Sequence, residues 1–244
     1  VSQNPIQNGE YLMFFHPTML LLIPGMILVW WAQQRVKGTY EKYAQVQSTM
    51  GMTGAEVAEL ILKRMGVHDV TVEPVAGVLS DHYDPSAKAV RLSEGIYGST
   101  SLAAAAVAAH ECGHVLQDVE GYQAMNLRSA LVPAVNIGSN IGPMMIMAGF
   151  AFGSLGGFSM FFVYIGLILF ASTLVFHLVT LPVEFDASAR ALRLIDEYGI
   201  LQGDEHKGAR KVLDAAAFTY VATALYAFLQ ILQYLIMIFG SSRD

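Results

Sequence analysis

The string His110-Glu111-Cys112-Gly113-His114 carries two imidazoles four residues apart, with a carboxylate beside the first. On a helix, residues four apart share a face, so both imidazoles can reach one Zn²⁺. Glu111 then lies beside the open coordination position, where it can take a proton from a bound water. A helix with two surface histidines is the plain alternative. Against it, the residues before the string are small, 103–109 being almost all alanine, as a buried helix beside a cleft requires.

A catalytic zinc needs a third protein ligand. No His-x-x-Gly-x-x-His continuation follows His114. Glu184 is the candidate, expected in the first turn of a helix that opens at Pro182. Asp186, two residues on and on another helix face, is the alternative. Other residues have weaker claims. Asp118, one turn past His114, can orient an imidazole or simply end a helix in solvent. His82 and Tyr83 can donate to an oxyanion or belong to an exposed turn. Arg190 can bind a substrate carbonyl or Asp186, or anchor the chain beside a membrane. His16 and His177 lie near the ends of apolar runs, where packing competes with function. Cys112 is the single cysteine, so no internal disulfide forms. With no basic neighbour to activate it, it reads as a small packed residue.

These residues need elements to hold them, and composition says where those elements lie. In 244 residues the charged fraction is 14% and the hydrophobic fraction 54%. Ordinary soluble domains carry about 25% charged residues. This excludes a disordered chain, a coiled coil and a nucleic-acid-binding tail protein. Four runs without Asp, Glu, Lys or Arg are long enough to span a bilayer: 11–32, 130–152, 158–181 and 215–239. In the second, Gly138-x-x-x-Gly142 and its asparagines suit close helix packing. Gly156-Gly157 reads as the turn of a hairpin between the second and third spans. Residues 1–10 carry no Lys or Arg and the run after them exceeds a signal-peptide core, so a cleavable leader is not expected.

All the lysines and arginines except Arg243 fall in 33–129 or 182–214. Both segments are therefore expected on the cytoplasmic face, with 1–10 and 240–244 outside. Segment 33–129 reads as a small α/β unit. Thr53-x-x-Glu56 opens an amphipathic helix over 55–65, ended by Gly66. Short strands are expected at 67–72, 75–79 and 88–92, a turn at 81–85, and a helix from the Ser99–Ser101 cap region to about Asp118. Segment 182–214 reads as a helix from Pro182 to Gly199, then one from about Asp204 into the fourth span. An extended substrate is expected to pair with the strand 89–92.

Several stretches, in order, resemble the YugP-type membrane neutral zinc metallopeptidases: Leu79-Ser-Asp-His-Tyr-Asp-Pro, Ala89-Val-Arg-Leu-Ser, Val107-Ala-Ala-His-Glu-Cys-Gly-His and Leu181-Pro-Val-Glu-Phe-Asp-Ala-Ser-Ala-Arg-Ala. The resemblance covers nearly the whole chain. More distantly it is similar to HtpX-type and CAAX-processing gluzincins, whose third ligand lies in Glu-x-x-Ala-Asp. Here Ser188 stands where that Asp would be. The resemblance implies one zinc at His110, His114 and Glu184, with Glu111 catalytic. It implies an α-helical integral membrane protein with a gluzincin-like α/β catalytic domain, in a bacterial inner membrane. It also implies peptide or membrane-protein substrates, with quality control as a role. Homo-oligomer or membrane-complex partners stay open, and nucleic acid is not an expected partner. An inactive protease-like scaffold is the competing reading, although Glu111 is intact. A zinc transporter would need mid-bilayer ligands, and an intramembrane protease would need a longer apolar run before His110 than 102–109 supplies.

Overall fold

A computed structural model of the chain describes residues 17–152 and 157–240. The expected outer N-terminus, residues 11–16 of the first span with His16, the Gly156 turn and the tail with Arg243 lie outside the described residues. Elements follow from the N-terminal side: a 3₁₀ turn Pro17–Leu22, α1 Ile23–Ala44, α2 Gly54–Arg64, β1 Thr71–Val75, β2 His82–Asp84, β3 Ala89–Ser93, α3 Glu94–Tyr97, α4 Leu102–Val119, α5 Gln123–Ala151, α6 Gly157–Glu197 and α7 Asp204–Gly240. Four stretches among the described residues are long and apolar enough to cross a membrane: Pro17–Ala44, Gln123–Ala151, Phe158–Glu197 and Asp204–Gly240.

The chain divides into two compact units. One holds residues up to Trp30, Pro133–Val175 and those from Ala222 on. Within it α5 and α6 approach through small residues. A Cβ on Gly142 would meet the Gly166 carbonyl oxygen at 2.9 Å, and one on Gly138 would overlap that of Leu169. The Gly138-x-x-x-Gly142 spacing thus serves close packing. Met144, Phe161 and Ile168 of this unit are exposed, as side chains facing lipid are.

The second unit holds Trp31–Val132 and Phe176–Val221. Here α2 starts on a complete capping box: Thr53 Oγ1 accepts from the Glu56 amide at 3.2 Å, and Glu56 Oε2 accepts from the Thr53 amide at 2.7 Å. Its Val57, Ala58, Ile61 and Leu62 are buried, the one-faced pattern of an amphipathic helix. The Ser101 hydroxyl caps α4 by accepting from the Ala104 amide. The alanines of α4 are buried and let neighbours come close: Cys112 Sγ lies 3.7 Å from the Ala58 carbonyl oxygen. At Gly113 a Cβ would overlap the carbonyl oxygen of Ala187. That crossing sets the second half of α4 against α6, and it is what brings the histidines to Glu184.

Several expected elements differ. The sheet runs β1-β3-β2, with β1 parallel and β2 antiparallel to β3. One strand replaces the pair expected at 67–72 and 75–79: Val67 is drawn into the core instead, and Val78 is 84% exposed. Residues 82–84 form β2 and not part of a turn, because their backbone pairs with β3 through His82↔Arg91 and Tyr83↔Val90. Being central, β3 has both edges paired, so it cannot accept an extended substrate. Pro182 does not start a helix; it lies inside the unbroken α6. Its ring fixes a helix-compatible φ, and a helix whose neighbours pack firmly can carry one missing backbone hydrogen bond.

Candidate metal centre and active site

His110 and His114 project from one face of α4, their ring centroids 4.8 Å apart and nearly perpendicular. Glu184 projects from the interior of α6, not from a first turn, and is 2% exposed. Its Oε2 lies 3.3 Å from His110 Nε2 and 3.7 Å from His114 Nε2. One ligand atom from each of the three falls within 4.8 Å of the others. Donors about 2.0–2.1 Å from a shared tetrahedral ion stand about 3.3–3.5 Å apart, so the Glu184 oxygen is close to that spacing from both imidazoles and the trio is near enough to share one ion.

Neighbours fix which atoms face inward. His114 Nδ1 donates to Gln117 Oε1 at 2.9 Å, which turns Nε2 toward Glu184. His110 Nδ1 lies 3.2 Å from Ser188 Oγ. Gln117 is itself locked, donating to the Val183 carbonyl and to Asp186, each at 2.8 Å. The second oxygen of Glu184, Oε1, lies 3.2 Å from Arg128 Nη1. Such contacts hold ligands in orientation and tune a metal site. The electrostatics also favour positive charge here. Burial alone would lower the His114 pKa, yet the Glu184 carboxylate, accepting from its ring, and the Glu111 and Glu184 charges hold it above the ordinary value. The donor set, its spacing and its charge therefore fit a divalent cation.

Glu111 is buried beside this trio. Burial raises its carboxyl pKa, against the pull of His110 and His114. It faces a cavity of about 180 Å³. From α4 come Val107, His110 and Glu111; from α6, Glu184; from α7, Ala216 and Tyr220; and from the loop before β2, Leu79 and Asp81. Leu79 holds a left-handed backbone, φ 55°, at this wall. Asp81 is fixed by the Ser93 amide at 2.7 Å.

A neutral zinc metallopeptidase family, described as "Putative neutral zinc metallopeptidase", matches residues 18–239. The chain belongs to this family. It is also 45% identical over 226 residues to "Putative membrane protease YugP" of Bacillus subtilis (strain 168), covering 93% of this chain and 98% of that protein. No solved structure matches. The chain is thus an integral membrane member of a zinc peptidase family, and His110, His114 and Glu184 lie close enough to hold the metal.

The remaining residues named from the sequence fall elsewhere in this family member. Asp186 meets Gln117 and Arg190 and lies outside the metal trio. Arg190 bridges Asp186 and Glu120. Asp118 accepts from Tyr83 at 2.8 Å and from Lys88 at 2.6 Å, so its partners are not an imidazole. Tyr83 is thereby turned to Asp118. His82 hydrogen-bonds the Ser80 carbonyl and does not line the cavity. Cys112 is buried, and burial raises its thiol pKa. Sequence reasoning passed over Arg128, Gln117 and Tyr220. Arg128 carried only the signal of a span-flanking cation, and the other two carried none.

Proposed function

We propose that this chain is a zinc-dependent endopeptidase of a bacterial cell membrane, cutting peptides or membrane proteins at the cytoplasmic face. The observation that carries the reading is the convergence of three metal donors beside a buried glutamate at the wall of one cavity. His110, His114 and Glu184 hold the zinc, and Glu111 is the catalytic residue. When bound, zinc supplies a Lewis acid that lowers the pKa of water toward about 7 and stabilises developing oxyanion charge. Glu111 accepts the proton of the attacking water and returns it to the leaving amine. Its raised pKa suits both halves of that task, since a carboxyl nearer neutrality both takes and gives a proton readily. Gln117 and Ser188 keep the imidazoles aimed, and Arg128 keeps one oxygen of Glu184 turned away so that the other faces them.

Segments 33–129 and 182–214 together form the catalytic part, and the runs within 11–32, 130–152, 158–181 and 215–239 cross the bilayer. The excess of Lys and Arg in the two polar segments supports their cytoplasmic placement, with the termini outside. Removal of faulty membrane proteins is the cellular role that suits an enzyme so placed. Cleavage of an unfolded protein substrate by the zinc-loaded full chain in detergent tests the reading. Glu111→Gln is expected to keep its zinc and lose about 10²–10⁴ in rate. Zinc-loaded chain that cuts nothing would turn the reading to an inactive scaffold, and a fully active Glu111→Gln would remove Glu111 from the mechanism.

A further inference from the structure

A second cavity, of about 410 Å³, opens between α1 and the start of α7. Its α1 wall repeats at helical spacing, Arg35 then Gly38-Thr39 then Lys42, and α7 adds Lys211 and Asp214. Arg35 and Lys42 are seven residues apart, about 10.5 Å along the helix, with Gly38 between them. A Cβ on Gly38 would meet nothing within 4 Å, so the centre of the stripe is open. Three cations therefore face one carboxylate. None of the three has a carboxylate within ion-pair distance among the described residues, whereas Lys37, off the stripe, has Glu41 at 3.9 Å. Arg35 is held in place by aromatic faces, its guanidinium 5.5 Å from the Trp31 ring and 5.7 Å from that of Phe218. That stacking leaves its N–H groups free to donate in plane.

The depth of this groove along its helices points to the ligand. In α1 the apolar run ends at Ala32, and in α7 it begins at Ala215. Arg35 and Asp214 are the first charged groups beyond the apolar parts of two membrane-spanning helices, and Lys42 and Lys211 follow them on the same walls. Trp31, 45% exposed, sits at that border, where indole rings favour the membrane interface. Phosphates of lipid headgroups occupy this depth. We propose that the groove bounded by Arg35, Gly38, Lys42 and Lys211 binds the phosphate of an anionic phospholipid. Arg35 and the two lysines donate to the phosphate oxygens, and Asp214 accepts from headgroup hydroxyls. The site is independent of the peptidase reading, since zinc and Glu111 have no part in it.

The test is titration of the full chain in detergent with phosphatidylglycerol, read by native mass spectrometry. Phosphatidylcholine and inorganic phosphate serve as parallel probes. Phosphatidylglycerol is expected to bind in preference to both. Lys42→Gln with Lys211→Gln is expected to weaken it about 25-fold, at about fivefold per cation. Gly38→Leu, which fills the groove and leaves every charge in place, is expected to weaken it as well, and Lys37→Gln to leave it unchanged. Equal losses from Lys37→Gln and the groove lysines would show diffuse surface attraction and overturn the site. Inorganic phosphate binding as tightly as the lipid would give the groove to a soluble phosphate and overturn the lipid assignment.

Discussion

The two oxygens of Glu184 have different partners, and that difference organises the site at the scale of single residues. Oε2 faces both imidazoles while Oε1 is held by Arg128. Arg128→Ala removes that hold on Oε1 and is expected to weaken zinc binding about 10- to 100-fold, measured by competition with a chelator of known affinity. Gln117→Ala is expected to fall in the same range, because it releases the ring of His114. The histidine pair was legible in the sequence because its spacing is a property of one helix. Glu184 became legible through its place after the third apolar run together with the family resemblance. The contacts of Gln117 and Ser188 with the imidazoles were not, although the resemblance singled out the Ser188 position. Gln117 is one side chain among many on α4 until its contacts to Val183 and Asp186 exist, and Ser188 lies 78 residues from His110. Pairings made only by the crossing of two helices leave no local pattern to read.

At the scale of elements, the crossing of α4 over α6 fixes the distance from the histidines to Glu184. Gly113 permits it, since any Cβ there overlaps the Ala187 carbonyl. Gly113→Ala is expected to destabilise the chain by about 1–3 kcal/mol in spite of alanine's better helix propensity, and to lower zinc affinity as the helices part. Thermal unfolding in detergent, with and without chelator, reads both effects. The far end of α4 is tied to the sheet region by Asp118, which accepts from Tyr83 and Lys88. Burial works against its ionised form, but those two hydrogen bonds outweigh it and hold its pKa below the ordinary value. The contribution to stability is therefore complete above the unfolded pKa of about 3.9 and is lost as pH falls through the lower folded value. Asp118→Asn is expected to cost about 1–3 kcal/mol at pH 7, and its deficit relative to the unsubstituted chain should shrink in strong acid. The capped helices α2 and α4 were legible because Thr53, Glu56 and Ser101 act within one turn. β2 was not: Asp81 to Pro85 has turn composition, and only pairing with β3 makes three of its residues a strand. Pro182 misled for a related reason, since a proline's effect on a long helix depends on what packs around it.

At the scale of the whole molecule, composition and run length together revealed a membrane protein, because a charged fraction of 14% and four uncharged runs leave few other solutions. The placement of Lys and Arg gives an orientation that can be checked. Ser86, exposed in the turn before β3, is expected as Ser86→Cys to react with a membrane-impermeant maleimide in inside-out vesicles and not in right-side-out ones. The native Cys112 is buried and should stay silent. Labelling in right-side-out vesicles alone would reverse the orientation. The account as a whole rests on a metal held by residues from two helices that sequence separates by seventy positions. Elemental analysis of the detergent-purified full chain beside Glu184→Ala tests it most directly. Close to one zinc per chain, lost in Glu184→Ala, is the expected result. Full zinc in Glu184→Ala, or no zinc in the unsubstituted chain after supplementation, would contradict it.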